Sequence, residues 1–579
     1  MKRRMFKKWT ALMLAVLMLV SLAACSGASS STAQPASGSA ANSEVEERET
    51  ITLTIGGTGL GTSDDDPNYP YHTIDVLQEK LGVQLKLEGM DAEKINVSLA
   101  GGDLPDIMMV NSGLVTQMIE GGQVIPLDDM LEEYGSNILN SYPKRIEFSK
   151  KFFSNGTDQI YFLPVLAGST GVEIRPNSGY LVRWKYYEEL GYPEITNEDE
   201  FLEMLAEMQR LHPTTEDGKK VYGMGMFNDW GMWSWWIGNA LTNGQYNWGP
   251  NAYLYDATSN DIICAYTDTE SPLWKNLHYL YKANSMGLFD PDSFTMKNAD
   301  YNAKTVSGQY LTAMTNFWTA NYYSEQLSKD PTSTDGYVTL PVDGTFVNYN
   351  LNSDVGQTNK LLVVTKNCKY PERAVELIDF LFSEEGVRFM LSGVEGEHWD
   401  YVDGVPTLRQ EIIDLYTENG DAFKKELGTN GFTNVLGTRG GTISSTDGET
   451  LNLFASSKLF EQSMTPLDKA FSEHYGVDYP AQIFEQKIAE GKMHDYSTLM
   501  QDIPNALAQP SDDIQRINAK MDEIMFRGIP EVVLAASEEE FVANRDKIIA
   551  ELNEAGADES DAWWTAAWAD AKAFIEGYS

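Results

Sequence analysis

From Glu49 to Gly56 polar and apolar residues alternate, a period of two that predicts a β-strand with one buried face. Thr73 to Leu81 then switches to a helical period, Val83 to Leu87 returns to alternation, and Ala92 to Leu99 is helical again, stopped by Gly101-Gly102. Asp103-Leu104-Pro105-Asp106 reads as a turn feeding a fully apolar strand, Ile107 to Val110. Strand and helix alternating at this spacing predict βαβ units and a sheet with parallel neighbours.

Ligands of such sheets bind outside the carboxyl ends of the strands. That places Gly57 to Gly61 and Asn111-Ser112-Gly113 at one rim and makes Thr58 and Asn111 candidate ligand contacts. The glycines of Gly57-Thr58-Gly59 do not form a phosphate loop, because neither GxxxxGK[ST] nor GxGxxG is present. Further along, Trp230, Trp233, Trp235, Trp236 and Trp248 fall within 19 residues, interleaved with Asn228, Asp229, Asn243 and Asn247. Sugar rings offer apolar C–H faces and a belt of hydroxyls, so a site for them needs aromatic planes beside carboxylates and amides. The cluster supplies that mixture. Trp233, Trp236 and Ile237 also stand at i, i+3, i+4, the spacing of a buried helical face, so core and ligand roles both stay open. Trp399 and His398 beside Glu395 and Glu397, and Glu173 with Arg175, are further candidates. Trp563, Trp564 and Trp568 lie at helical spacing and read as core or capping contacts.

The N-terminal stretch differs from the body. Lys2, Arg3, Arg4, Lys7 and Lys8 precede an apolar run from Trp9 to Val20, too short for a spanning helix, which needs about 20 residues. Leu22-Ala23-Ala24-Cys25 follows, and this quartet resembles the lipobox of bacterial lipoproteins. It implies a signal over 1–24 that is removed and a Cys25 that carries the lipid, with two or more acyl chains needed for stable anchoring. Residues 25–49 are mostly Ser, Ala, Gly, Thr and Gln, a composition expected of a flexible linker. About 530 residues remain, more than one compact core usually holds, so at least two lobes are expected.

Charge narrows the partners. The formal net charge is −42, and the signal contributes five positive charges and no negative ones, so the remainder is more acidic still. Nucleic acid is excluded as a partner, since phosphate binding needs a basic surface. A strongly anionic glycan is also disfavoured unless a local basic groove overrides the global field. Besides Cys25 only Cys264 and Cys368 occur, with no CxxC and no HExxH, so no metal and no cofactor are expected.

Ala100-Gly101-Gly102-Asp103-Leu104-Pro105-Asp106-Ile107 resembles a segment of the family 1 extracellular solute-binding proteins, the sugar-binding subunits of ABC importers. Tyr161-Phe162-Leu163-Pro164, Arg183 to Gln209, Gly308 to Trp318, Leu361 to Gly386 and Gly393 to Thr407 are similar to further family segments, in the family's order. The resemblance implies an α/β, two-lobed periplasmic-binding-protein type II fold, with a hinge, a ligand cleft between the lobes and a helical C-terminal third. The first lobe is expected over 50–167 and 358–400, the second over 168–357 and 401–579. Trp318, with Asn316 beside it, sits where the family's stacking tryptophan falls. Some relatives carry a calcium loop, but here Pro213, Thr215 and Asp217 take its first three ligand positions, and no calcium is expected. The implied function is a monomeric receptor, lipid-anchored on the extracytoplasmic face of the membrane. It would capture an oligosaccharide and deliver it to the transmembrane subunits of an ABC permease, with no catalysis. Two rivals stand beside it: a receptor for a non-sugar ligand such as a peptide, and an exported glycoside hydrolase or lyase.

Overall fold

A computed structural model describes residues 49–170, 176, 179–247, 250–313, 330, 332–347, 352–428, 432–496 and 502–577. The signal, Cys25 and nearly all of the linker lie outside the described residues, as do Glu173, Arg175, Trp248, Asn316 and Trp318.

Five strands form the central sheet: β1 (Ile51–Gly57), β2 (Val83–Gly89), β3 (Ile107–Val110), β4 (Leu163–Val165) and β5 (Gln357–Val364). Their order is β2-β1-β3-β5-β4. β1 runs parallel to β2 and β3, as the βαβ pattern predicts, whereas β5 is antiparallel to both its neighbours. The helices His72–Leu81 and Ala92–Gly101 fill the predicted intervals, the second closed by Gly102 at φ 72°. Side chains alternate across the sheet with the period of two. Ile107, Met109, Leu362 and Val364 join Leu77 and Phe382 on one face. Met108, Val110, Leu361 and Val363 join Leu99 and Phe148 on the other. With both faces covered, β3 and the second half of β5 are wholly apolar. At the carboxyl end of β1 a Cβ on Gly57 would stand 2.4 Å from the Met109 carbonyl oxygen, so only glycine lets the two strands approach.

The second core is organised by the antiparallel pair Tyr180–Arg183 and Tyr337–Leu340 and by the helices Glu198–Leu211, Trp233–Thr242 and Pro272–Ser285. Arg183 is buried and binds Asp335 through Nη2 at 2.9 and 2.6 Å, closing the mouth of the strand pair. Three long C-terminal helices, Asp512–Val533, Glu538–Glu554 and Ala557–Glu576, pack on this core. Trp564 and Trp568 are buried against Tyr253 and Tyr255, the core role their spacing predicts. Phe574, near the end of the last helix, meets Phe152 edge-on at 5.1 Å and so ties that helix to the helix Pro143–Phe152.

The packing divides the C-terminal third differently from the sequence assignment, which gave all of 401–579 to the second lobe. Phe432, Val435, Leu436 and Leu451 belong to the first lobe's core. The hairpin Trp399–Val402/Val405–Leu408 and the helix Gln410–Glu418 form a small satellite core with Leu427, Leu453 and Leu459. Buried Arg388 pairs with buried Asp447 to pin this arm to the helix Glu384–Ser392. The physical reason is close approach: Gly437 lies against the buried Phe382 ring and Gly428 against the buried Tyr71 ring, so this stretch packs directly on the first core. Near the crossings, Asp502 accepts from Ser353 Oγ (2.6 Å) and from Asp354 N (3.0 Å). Asn505 Nδ2 donates to the Gly356 carbonyl at 3.0 Å and its Oδ1 accepts from Thr358 at 3.0 Å.

Candidate functional site

A cavity of about 720 Å³ opens at the carboxyl rim of the sheet. It lies where the polar first half of β5, Gln357-Thr358-Asn359, emerges from the apolar second half. Thr438, Arg439 and Asn452 of the arm and Asn505 of the C-terminal region complete its polar wall. The segment through Leu436 and Gly437 is held beside the end of β4 by an isolated bridge, with Leu166 N and Ala167 N donating to the carbonyls of Leu436 (2.9 Å) and Gly437 (3.0 Å). Arg439 Nε donates to the Leu166 carbonyl at 2.8 Å. Burial pulls the Arg439 guanidinium down to about 10, with the Asp502 charge opposing. Beside the cavity, Lys360 Nζ donates to Asn434 Oδ1 at 2.7 Å, while Asn434 Nδ2 donates to the Gly59 carbonyl at 2.9 Å. Burial first, and then the charge of Arg439, lower the proton affinity of the Lys360 ammonium. The wall thus presents amides, hydroxyls and cationic nitrogen, and no carboxylate is among the described residues that line it. Such a surface can satisfy a belt of hydroxyls from several directions.

Thr58 and Asn111 stand exposed at the same rim, and Asn111 also caps its own turn by accepting from Gly113 N at 2.9 Å. On the second lobe Trp230 is 43% exposed, set edge-on to Phe227 and 5.6 Å from half-buried Trp233 at a 48° tilt. Asp229 beside it accepts from Asn298 N at 2.9 Å and so caps the helix Asn298–Val306. The other tryptophans turn inward. Trp235 is buried, stacked on Phe294, with Nε1 donating to Asn228 at 3.0 Å; Trp236 is buried on the adjoining turn. Trp399 is buried too, its Nε1 donating to the Gly393 carbonyl at 3.0 Å, while Glu395 faces solvent in the turn before it. The candidates therefore separate into exposed Trp230, Thr58, Asn111 and Glu395, half-buried Trp233, and core-forming Trp235, Trp236 and Trp399.

Residue spacing did not single out the cavity wall itself. Its signal is the change inside one strand from Gln357-Thr358-Asn359-Lys360 to Leu361-Leu362-Val363-Val364, which marks where a buried strand surfaces. The Arg439-Gly440-Gly441 run is a second signal: a Cβ on Gly440 would stand 2.5 Å from Leu391.

His72, His398 and Glu426 bring ligand-type atoms within 4.8 Å of one another. The Val394 amide donates to His398 Nδ1 at 2.8 Å, so in the neutral ring that burial favours the proton sits on Nε2, the nitrogen facing Glu426. That nitrogen has no lone pair for an ion, and the cluster does not fit a metal. In the loop compared above with a calcium site, Asp217 pairs with Lys219 at 2.8 Å and Thr215 N donates to the Lys219 carbonyl at 2.8 Å, a hairpin closed on itself.

Solved structures with the same fold include an HMO-binding, ABC-transporter-associated solute-binding protein of Bifidobacterium longum infantis (14% identity, TM-score 0.57, 90% of this chain and 99% of that one). A second extracellular solute-binding protein from that subspecies matches at 16% identity, TM-score 0.56, over 91% and 99% of the chains. An EF-hand mutant of the Streptococcus pneumoniae ABC-transporter substrate-binding protein FusA, in complex with fructo-nystose, matches at 15% identity, TM-score 0.55, over 90% and 99%. No curated protein sequence matches significantly. The family model for bacterial extracellular solute-binding proteins matches residues 82–388, more than half of the chain. This protein is a member of the bacterial extracellular solute-binding protein family.

Proposed function

We propose that the protein captures an oligosaccharide in the cleft between its lobes and delivers it intact to an ABC permease, from a lipid anchor at Cys25 on the extracytoplasmic face. The observation that carries this reading is the cavity at the carboxyl rim, walled by amides and hydroxyls from β5, the arm and Asn505. Exposed Trp230 with Trp233 supplies an aromatic surface on the other lobe for the sugar faces, and Trp318 is expected to add a second. The fructo-nystose bound by one structural neighbour is of the same class. Hydrolysis needs two carboxyl groups about 5–9.5 Å apart across the scissile bond. The described lining offers none, which favours binding without cleavage. Lobe closure about the sugar would bury it, and opening by the permease would release it.

The test is intrinsic tryptophan fluorescence of the chain lacking residues 1–25, titrated with a panel of neutral and acidic oligosaccharides and followed by chromatography of the sugar. A saturable change with the sugar recovered intact, lost in Trp230→Ala or Trp318→Ala, is expected. Cleaved sugar would establish an enzyme, and silence across the panel would favour a peptide or other ligand.

A further inference from the structure

A second cavity, of about 90 Å³, lies inside the second core, between the strand Tyr180–Arg183 and the helices Glu198–Leu211, Trp233–Thr242 and Pro272–Ser285. It is far smaller than the one at the rim and takes a substituent, not a row of sugar rings. Three stretches of its wall lead into candidates read from the sequence: Met226 precedes Trp230, Ala313 precedes Asn316 and Trp318, and Gly179 follows Glu173 and Arg175. Chain continuity thus ties this cavity to the second lobe's candidate ligand surface.

Phe201, Met224 and Leu280 supply the apolar part of the lining. Asn276 is only 7% exposed, and its Nδ2 donates to the Trp235 carbonyl. No group among the described residues donates to its Oδ1, which the protein leaves open to the cavity. Tyr279, three residues on along the same helix face, lines the same cavity, and Tyr180 joins it from the strand. Neither phenol is hydrogen-bonded to a described residue. Burial first, and then the charge of Glu198, raise both phenols, so each keeps its proton and stands as a donor. A packed core does not ordinarily leave such groups unmet.

We propose that this cavity receives the N-acetyl group of an amino sugar, with Asn276 and Tyr279 as the residues that read it. This rests on the oligosaccharide reading above and deepens it. The lining offers one acceptor, two donors and an apolar surface within one small volume. An acetamido group carries the complement: an N–H for Asn276 Oδ1, a carbonyl oxygen for a phenol, and a methyl for Phe201, Met224 and Leu280. A hydroxyl in its place would leave the apolar surface uncovered, and a carboxylate would meet the charge of Glu198 in the same wall.

The experiment begins with an array of oligosaccharides with and without N-acetylated amino sugars, probed with the chain lacking residues 1–25. The best N-acetylated member is then titrated beside counterparts in which a hydroxyl, a free amine or a butanamido group replaces the acetamido group, with wild type, Asn276→Leu and Tyr279→Phe. Expected is a preference of about tenfold or more for the acetamido member over the hydroxyl one. The butanamido member, too long for the cavity, should bind more weakly than the acetamido one. Asn276→Leu and Tyr279→Phe should each narrow the preference by about 2- to 10-fold. Tyr279→Phe removes a single oxygen and keeps the test decisive if Asn276→Leu fails to fold. Binding confined to glycans without acetamido groups, equal binding of the acetamido and hydroxyl members, or a preference that Tyr279→Phe leaves unchanged would overturn this proposal and leave the sugar reading intact. Tightest binding of the free amine would overturn it as well, by showing that Glu198 draws a cation. No glycan bound at all would overturn both.

Discussion

At the scale of single residues, the tryptophan cluster shows how far sequence spacing reaches. Five aromatic rings in a short stretch announced a special region, but the same spacing fits a buried face and a ligand surface. The solution is a mixture: Trp235 stacks on Phe294 in the core while Trp230 stays open. What decides is the partner helix and loop brought in from residues 272–298, distant in sequence and therefore invisible to any local pattern. Trp235→Ala should remove about 3–5 kcal/mol of stability, the usual result of emptying a buried aromatic site. Trp230→Ala should stay within about 0.5 kcal/mol of wild type. Urea unfolding of the two variants checks this, and equal losses would mean that Trp230 also packs as core. A second residue carries a pH signature. Burial raises Asp502 from 3.8 to about 6. A carboxyl that holds its proton more tightly when folded gains stability as pH falls through about 6, the gain being complete below the unfolded value. The two values differ by an amount worth about 3 kcal/mol. Relative to Asp502→Asn, wild type should therefore gain about 2 kcal/mol between about pH 7.5 and about pH 4.5, the remainder arriving only below the unfolded value. A difference that stays flat with pH would show that the carboxyl titrates normally.

At the scale of elements, the first strands and helices were legible because each obeys one period over its whole length. The strand Val83–Gly89, the helix Ala92–Gly101 with its glycine stop, and the apolar strand before Asn111 all stand where alternation and capping place them. The arm from Trp399 to Leu459 was not. Its elements are short, its hydrophobic residues are spread among turns, and its allegiance to the first lobe is fixed by contacts such as Phe432 and Leu436 against a core built 300 residues earlier. One glycine makes that docking testable. Gly428 has φ 54°, and a Cβ there would stand 1.9 Å from the Tyr71 ring. Gly428→Ala should cost about 1–3 kcal/mol from overpacking, with the left-handed backbone adding to it. Limited proteolysis should then cut within the arm sooner than in wild type. An unchanged cleavage rate would mean that the arm is held elsewhere, with the Arg388–Asp447 pair as the leading anchor.

At the scale of the whole molecule, the two-lobed fold was legible only as an ordered series of segments, each weak alone, while the cavity that joins β5, the arm and Asn505 was not legible at all. Its wall is assembled from stretches near residues 166, 357, 438 and 505, and no local window spans them. The same interleaving has a consequence for how the chain comes into being. β3 and β4 do not touch each other; the strand between them is supplied by residues 357–364. In a chain that emerges from its N-terminus, β5 becomes available only after the whole stretch between Val165 and Gln357 has emerged behind β4. Throughout that interval two strand edges stand open in the middle of what will become the sheet, and the whole second lobe's strand pair is made while the first lobe is still waiting for its centre. The first lobe is thus the earlier begun and the later finished, and its unpaired edges are the place where a holding chaperone would have to act.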